Sequence, residues 1–138
     1  MSRLEEARQR LREARDRENA ERNDQLATDF DALEEVYAKH GASRVRRVEV
    51  TAWKPGIVAM AAVRTPNKAE VRRWQARVNV EKPDRVQAFE ELAGVCVVYP
   101  EPGPARDALY EACPGLPVQL GQEAASLAVG EAQVEGKE

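Results

Sequence analysis

The chain has 138 residues, 33% of them charged and only 5% aromatic, with a net charge of −3. That size suits one domain with extensions, its core modest and built from Ala, Val and Leu. No run approaches the ~20 apolar residues that cross a bilayer; one histidine and two cysteines do not make a four-ligand zinc set; and a pI near 5.4 lies below what a nucleic-acid domain needs.

The charge is unevenly placed: residues 1–40 carry −3, residues 41–77 carry +7 and residues 78–138 carry −7. The basic middle and acidic end can neutralise each other within the fold or meet as patches on neighbouring subunits. The Arg/Glu-rich start has no apolar leader, so Cys96 and Cys113 are expected as reduced thiols in a cytosolic protein.

Residues 2–39 read as one helix, with no Pro or Gly before Gly41. Leu4, Ala7, Leu11 and Ala14 follow 3-4-3 spacing, and Leu26, Phe30, Leu33 and Tyr37 repeat a similar one. Between Arg15 and Gln25 the only apolar residue is Ala20. This gap divides the chain into a charged helical extension over 1–25, a small domain over 26–129 and a flexible acidic tail over 130–138. The extension reads as a solvated helix laced by Glu/Arg pairs worth a few tenths of a kcal/mol each, or as a segment that orders against a partner. Two heptads with Ala in alternate seam positions are too weak to define a coiled coil alone, and a homo-oligomer through this helix is one use of it. Lys39 and His40 suit the helix end and Gly41 its left-handed C′ position, which gives the only histidine a capping or surface role.

Arg44 to Trp53 reads as a strand, with Val48, Val50 and Ala52 alternating against Arg47, Glu49 and Thr51. Lys54-Pro55-Gly56 turns the chain, and Ile57 to Val63 pairs back as a second strand. Helix competes there, because Ala59, Met60, Ala61 and Ala62 are good helix formers. Thr65 is expected to cap the next helix with Pro66 in its first position; Val71, Trp74 and Val78 share its apolar face while Arg72, Arg73 and Arg77 point away. After a linker over 79–83, a helix from Asp84 to Val98 sets Val86, Phe89, Ala93 and Cys96 on one side. Cys96 to Tyr99 reads as its buried end, with a strand as the alternative. A short helix from Pro104 to Ala112 turns Ala105, Leu109 and Ala112 inward. Pro117 starts a last helix through Leu120, Ala124 and Leu127, where small Gly121 and Ala125 let another backbone come close. The expected fold is α+β, mainly α: a long N-terminal helix, a two-stranded antiparallel hairpin, and a compact bundle of three to four short helices.

Chemistry is scarce. There is no Gly-rich phosphate loop, no Ser/His/Asp set, and the paired carboxylates Glu34-Glu35 and Glu90-Glu91 point apart on their helices. Cys96 sits in an apolar run that blunts a thiol. No enzyme, cofactor or metal site is expected. The expected protein-binding surface is Arg64, Lys68, Arg72, Arg73 and Arg77, against the plainer reading that these residues solvate their helix. They could also track phosphates with Trp53 or Trp74 stacked on bases, but Trp74 lies on the apolar face of its own helix.

The order of landmarks resembles the small tail-assembly-chaperone-type proteins encoded beside the tape-measure gene of tailed bacteriophages and prophages. The landmarks are a helix ending Tyr37-Ala38-Lys39-His40-Gly41, a hairpin from Val48 to Val63, Arg64-Thr65-Pro66-Asn67-Lys68-Ala69-Glu70 leading to Arg72-Arg73-Trp74, Cys96-Val97-Val98-Tyr99-Pro100, and Pro114-Gly115-Leu116-Pro117 before a closing helix. The match spans roughly residues 33 to 129. Cys113 stands where an aromatic would be expected, and the charged helix of residues 1–25 is an addition. The resemblance implies a non-enzymatic factor in the host cytoplasm that keeps the long tape-measure helix soluble while tail-tube subunits assemble round it. The alternative is a structural virion component held by its N-terminal helix; a nucleic-acid module using residues 44–77 is a third reading.

Overall fold

The computed structural model describes residues 2–130. Its elements are α1 (Arg3–His40), a 3-10 turn (Ala42–Arg44), β1 (Val45–Glu49), β2 (Met60–Arg64), α2 (Lys68–Val78), α3 (Arg85–Cys96), β3 (Val97–Tyr99), α4 (Pro104–Ala112) and α5 (Leu116–Val129). It is an α+β fold, mainly helical, that starts with a long helix. Apart from Gly130, the acidic tail expected over 130–138 lies outside the described residues.

Three layers are stacked. The sheet has the order β1-β2-β3, and β2 runs antiparallel to both neighbours. Val48, Ala61 and Val63 face one way and join Leu92, Ala93, Cys96, Leu120 and Ala124 of α3 and α5. Val45, Met60 and Ala62 face the other way and cover Leu33 of α1. Because β2 is covered on both sides, its sequence is a continuous apolar run rather than an alternating one. Its alanines, fully buried at 61 and 62, leave room for the layers above and below. The helical alternative for this run is thereby overturned.

The sheet corrects the expected two-stranded hairpin. Val97–Tyr99 is a third strand, with Ala62 opposite Tyr99 and Val63 opposite Val97. β-branched residues ahead of Pro100 favour an extended chain. Strand β1 also stops at Glu49, short of Trp53. Beyond Val50, whose amide donates to the Ala59 carbonyl, the chain bends inward as a plug. Trp53 is buried there and its Nε1 donates to the Ile57 carbonyl at 2.9 Å. An indole that has both its ring covered and its N–H satisfied outweighs a longer ladder.

Three local expectations shift along the chain. Asn67, not Thr65, caps α2: its side chain accepts from the Glu70 amide while the Glu70 carboxylate accepts from the Asn67 amide, a complete capping box. Thr65 instead donates its hydroxyl to the Arg44 carbonyl. On α4, Ala105 is exposed and Arg106 is buried. The Arg106 guanidinium donates to the carbonyls of Val97 and Pro100 at 2.9 and 3.0 Å, closing the carbonyl groups of β3 and its exit. On α3 the buried set is Ala88, Leu92, Ala93 and Cys96, with Val86 exposed.

α1 is rooted by a buried carboxylate. Asp29 is fully buried and accepts from the Ala59 amide at 2.8 Å, from the Tyr99 hydroxyl at 2.5 Å and from Gln25 Nε2 at 3.0 Å. It thus pins the helix to the sheet through β3 and the residue just before β2. N-terminal to this root, Arg22 reaches the Val50 carbonyl and Glu49. From Ser2 to Glu21 every residue except Ala7 is exposed. Nineteen residues, Arg3 to Glu21, therefore project as a helical arm of roughly 28 Å at 1.5 Å per residue.

Candidate functional site

The five cations expected to form a binding surface do not share one fate. Arg64, at the end of β2, turns inward. Its guanidinium grips Glu70 with two bonds of 2.8 Å and donates to the Val95 carbonyl at 2.7 Å. One side chain thereby ties β2, α2 and α3 together, so Arg64 is a clasp rather than open surface. Arg77 pairs with Glu91 of α3 at 2.9 Å. Lys68, Arg72 and Arg73 stand exposed along α2. The Glu70 partner was legible only as a nearby acid; its bidentate match to Arg64, six positions back across a turn, follows from the fold.

Removing the clasp has a measurable signature. The Arg64 guanidinium holds the Glu70 carboxyl below the usual carboxylate range, with the Asn67 amide adding to the effect against burial. A depressed folded-state value means stability that is present above the ordinary carboxylate pKa and lost as pH falls through the lower, folded one. Arg64→Ala is expected to cost about 2 kcal/mol in urea unfolding at pH 7. The deficit should shrink as the pH is lowered below the carboxylate range; a constant deficit would show that Glu70 is not the partner that matters.

Between α2 and α3 lies a groove of about 340 Å3, lined by Glu70, Arg73, Trp74, Arg77, Leu92 and Val95 among others. α2 buries no residue completely. Its anchor, Trp74, is half-buried and tilts against Phe89 with ring centroids 5.8 Å apart. Trp74 Nε1 is out of contact with solvent and has no acceptor among the described residues. An unmet buried donor costs about 1–3 kcal/mol. The apolar-face placement expected for Trp74 holds, while its burial is shallower than that of Trp53.

A larger, more open groove of about 850 Å3 runs between α1 and the segment from Pro100 to Ala105, with Val36, Lys39, His40 and Tyr99 on its walls. Burial first, then the charges of Lys39 and Arg64, push the His40 pKa down. At neutral pH the imidazole is uncharged, so the favourable dipole contribution at the helix end falls to Lys39. Gly41 does terminate the helix at positive φ, its amide bonded to the Tyr37 carbonyl.

The thiols are unpaired. Cys96 is fully buried, and burial pushes its pKa up to about 11; Cys113 is partly exposed. At pH 8 a thiol reagent is expected to label Cys113 roughly tenfold faster or more, with Cys96 reacting only on unfolding; equal rates would refute the packing described for α3. Among the described residues, no three His, Cys, Asp or Glu side chains stand together as a metal site. Nor is any helix there long and apolar enough to cross a membrane. The chain matches no protein-family model, no curated protein and no solved structure.

Proposed function

We propose that the protein is a tail-assembly accessory factor of the chaperone type, which binds another polypeptide in the host cytoplasm and performs no covalent chemistry. The observation that carries the protein-binding part of this reading is the arm. A helix of nineteen residues leaves the body fully formed, with Leu4 59% and Leu11 72% exposed one above the other on it. A helix that stands clear of its own domain presents its apolar stripe to another helix. The long tape-measure helix, suggested by the order of sequence landmarks, is the partner of matching shape.

The test is co-expression with the tape-measure protein. The two are expected to co-elute, and the tape measure to aggregate without its companion. Deleting residues 2–20 should reduce recovery at least tenfold while shifting the melting midpoint of the body by only a few degrees, since surface changes stay within about 0.5 kcal/mol. A tape-measure protein that stays soluble and uncomplexed at micromolar concentration would reject the reading. The same arm also suits a virion component that packs on a neighbour, and stoichiometric copies in purified particles would decide for that.

A further inference from the structure

The arm carries as much positive as negative charge: six Arg and six Asp/Glu lie between Arg3 and Glu21. What matters is the side of the rod on which each falls. At about 100° per residue, Leu4, Ala7, Leu11 and Ala14 form one stripe along the helix. Ala7, between the two leucines, is the one residue of the arm that is partly covered. Five of the six arginines border that stripe: Arg3, Arg10 and Arg17 along one side, Arg8 and Arg15 along the other. Arg12 and the acids Glu5, Glu13 and Asp16 fall on the far side, with Glu6 at its margin. Glu18 and Glu21 take the next two stripe positions and end it. The apolar face is therefore roughly 15 Å long and confined to the tip. Among the described residues, no carboxylate closes an ion pair with any of the five bordering arginines.

This placement works against a second copy of the chain and selects its opposite. When two such helices pair in parallel, the residues bordering one stripe meet the other flank of the mate; when they pair antiparallel, they meet the same flank. Both flanks are arginine, so either alignment sets Arg against Arg. Two leucines and two alanines offer too little apolar surface to outweigh that repulsion. A nucleic-acid backbone fits less well, because the leucines separate the two rows of cations and the arm has no net charge. We infer that the tip of the arm docks an acidic amphipathic helix of the protein partner, with large apolar residues along its centre and Asp or Glu on both borders. Those carboxylates meet Arg3, Arg10 and Arg17 on one side and Arg8 and Arg15 on the other, while the large side chains fill the room above Ala7 and Ala14. This rests on the arm-docking reading above and adds the chemistry of the surface recognised.

The full chain, labelled with 15N, is titrated with a synthetic peptide of roughly five helical turns that carries Leu along its centre and Glu on both borders. The control peptide replaces every Glu by Lys. Amide shifts are expected over residues 3–17 with the Glu peptide and none with the Lys peptide, and molar salt should weaken the binding. The triple variant Arg8→Glu/Arg10→Glu/Arg15→Glu changes only exposed side chains. It should bind the Glu peptide roughly tenfold or more weakly and should now bind the Lys peptide, a gain that a frayed arm would not give. Leu4→Ser/Leu11→Ser should abolish docking and leave the sedimentation of the chain unchanged. Self-association that is lost in this double variant, equal response to both peptides, indifference to the triple variant, shifts confined to the body, or no shift at millimolar peptide would each overturn the proposal. So would a DNA duplex that displaces the Glu peptide from the arm. Docking of the Glu peptide without capture of the tape measure would keep this inference and remove the tail-assembly reading; capture that is indifferent to the triple variant would do the reverse.

Discussion

Gly121→Ala is expected to destabilise the protein by roughly 3 kcal/mol or more, at or above the upper end of ordinary overpacking. A Cβ at this position would lie 2.1 Å from the Phe89 carbonyl oxygen and 2.7 Å from its carbon. The obstacle is backbone, so no rotamer change relieves it and α5 must move off α3. These two helices form the tightest helix pair of the body, and their side chains fill one side of the core with Leu92, Ala93, Leu120 and Ala124. A midpoint fall of more than about ten degrees is expected for a domain of this size. Gly94→Ala, on the facing helix, provides the opposite sign. A Cβ there meets nothing within 4 Å, so exchanging a helical glycine for alanine should stabilise by about 0.5–1 kcal/mol. Paired thermal or urea unfolding curves check both; a Gly121→Ala loss below about 1 kcal/mol would mean that α3 and α5 are further apart than described.

Asp29→Ala is the second large effect. It strands the buried Ala59 amide and the half-buried Tyr99 hydroxyl, both held by the carboxylate. One unmet buried donor and one that water partly reaches cost roughly 2–4 kcal/mol together. Asp29→Asn keeps the volume and one acceptor oxygen, and should lose about half as much. Burial and the adjacent Asp29 carboxylate raise the Tyr99 phenol well above its ordinary value. A folded-state value above the unfolded one contributes stability below the ordinary phenol range and loses it as pH rises toward the higher, folded value. The native protein should therefore weaken on the alkaline side by more than Tyr99→Phe does. Amide exchange provides a local readout: in Asp29→Ala, protection should fall first along α1 and at Ala59.

The elements legible from local signals were those whose residues answer to their neighbours in sequence. α1 followed from an unbroken run without Pro or Gly and a terminal Gly41, and α5 from its 3.6-residue spacing. The close approach at Gly121 was readable from small residues alone, although the identity of the facing strip, Phe89, was not. What escaped depended on distant partners. Val97–Tyr99, for which a strand was only the alternative, becomes one because β2 offers it a free edge; its β-branched residues ahead of Pro100 favour extension but do not name that partner. Asp29 looks like one more acid on a charged helix until Ala59 and Tyr99 are brought to it. Arg106 looks like a surface cation, yet two carbonyls draw it inward. Arg64 shares its charge with its neighbours on α2, and only the geometry of β2 against α3 separates it from them. In the candidate site, the exposed cations Lys68, Arg72 and Arg73 were legible, whereas the acceptor-less Trp74 indole was not, because a missing bond leaves no trace in composition or period.

The single uninterrupted helix that carries both root and arm has a geometric consequence. Each residue turns a helix by about 100°, so the heading of Leu4 and Leu11 about the rod axis is set by the same backbone that Asp29 bolts to the sheet. Whatever grips the tip is held at a given compass bearing as well as a given reach from the body. The tip leucines and the Asp29 root, some tens of ångströms apart, are thus phased to one another by one stiff shaft.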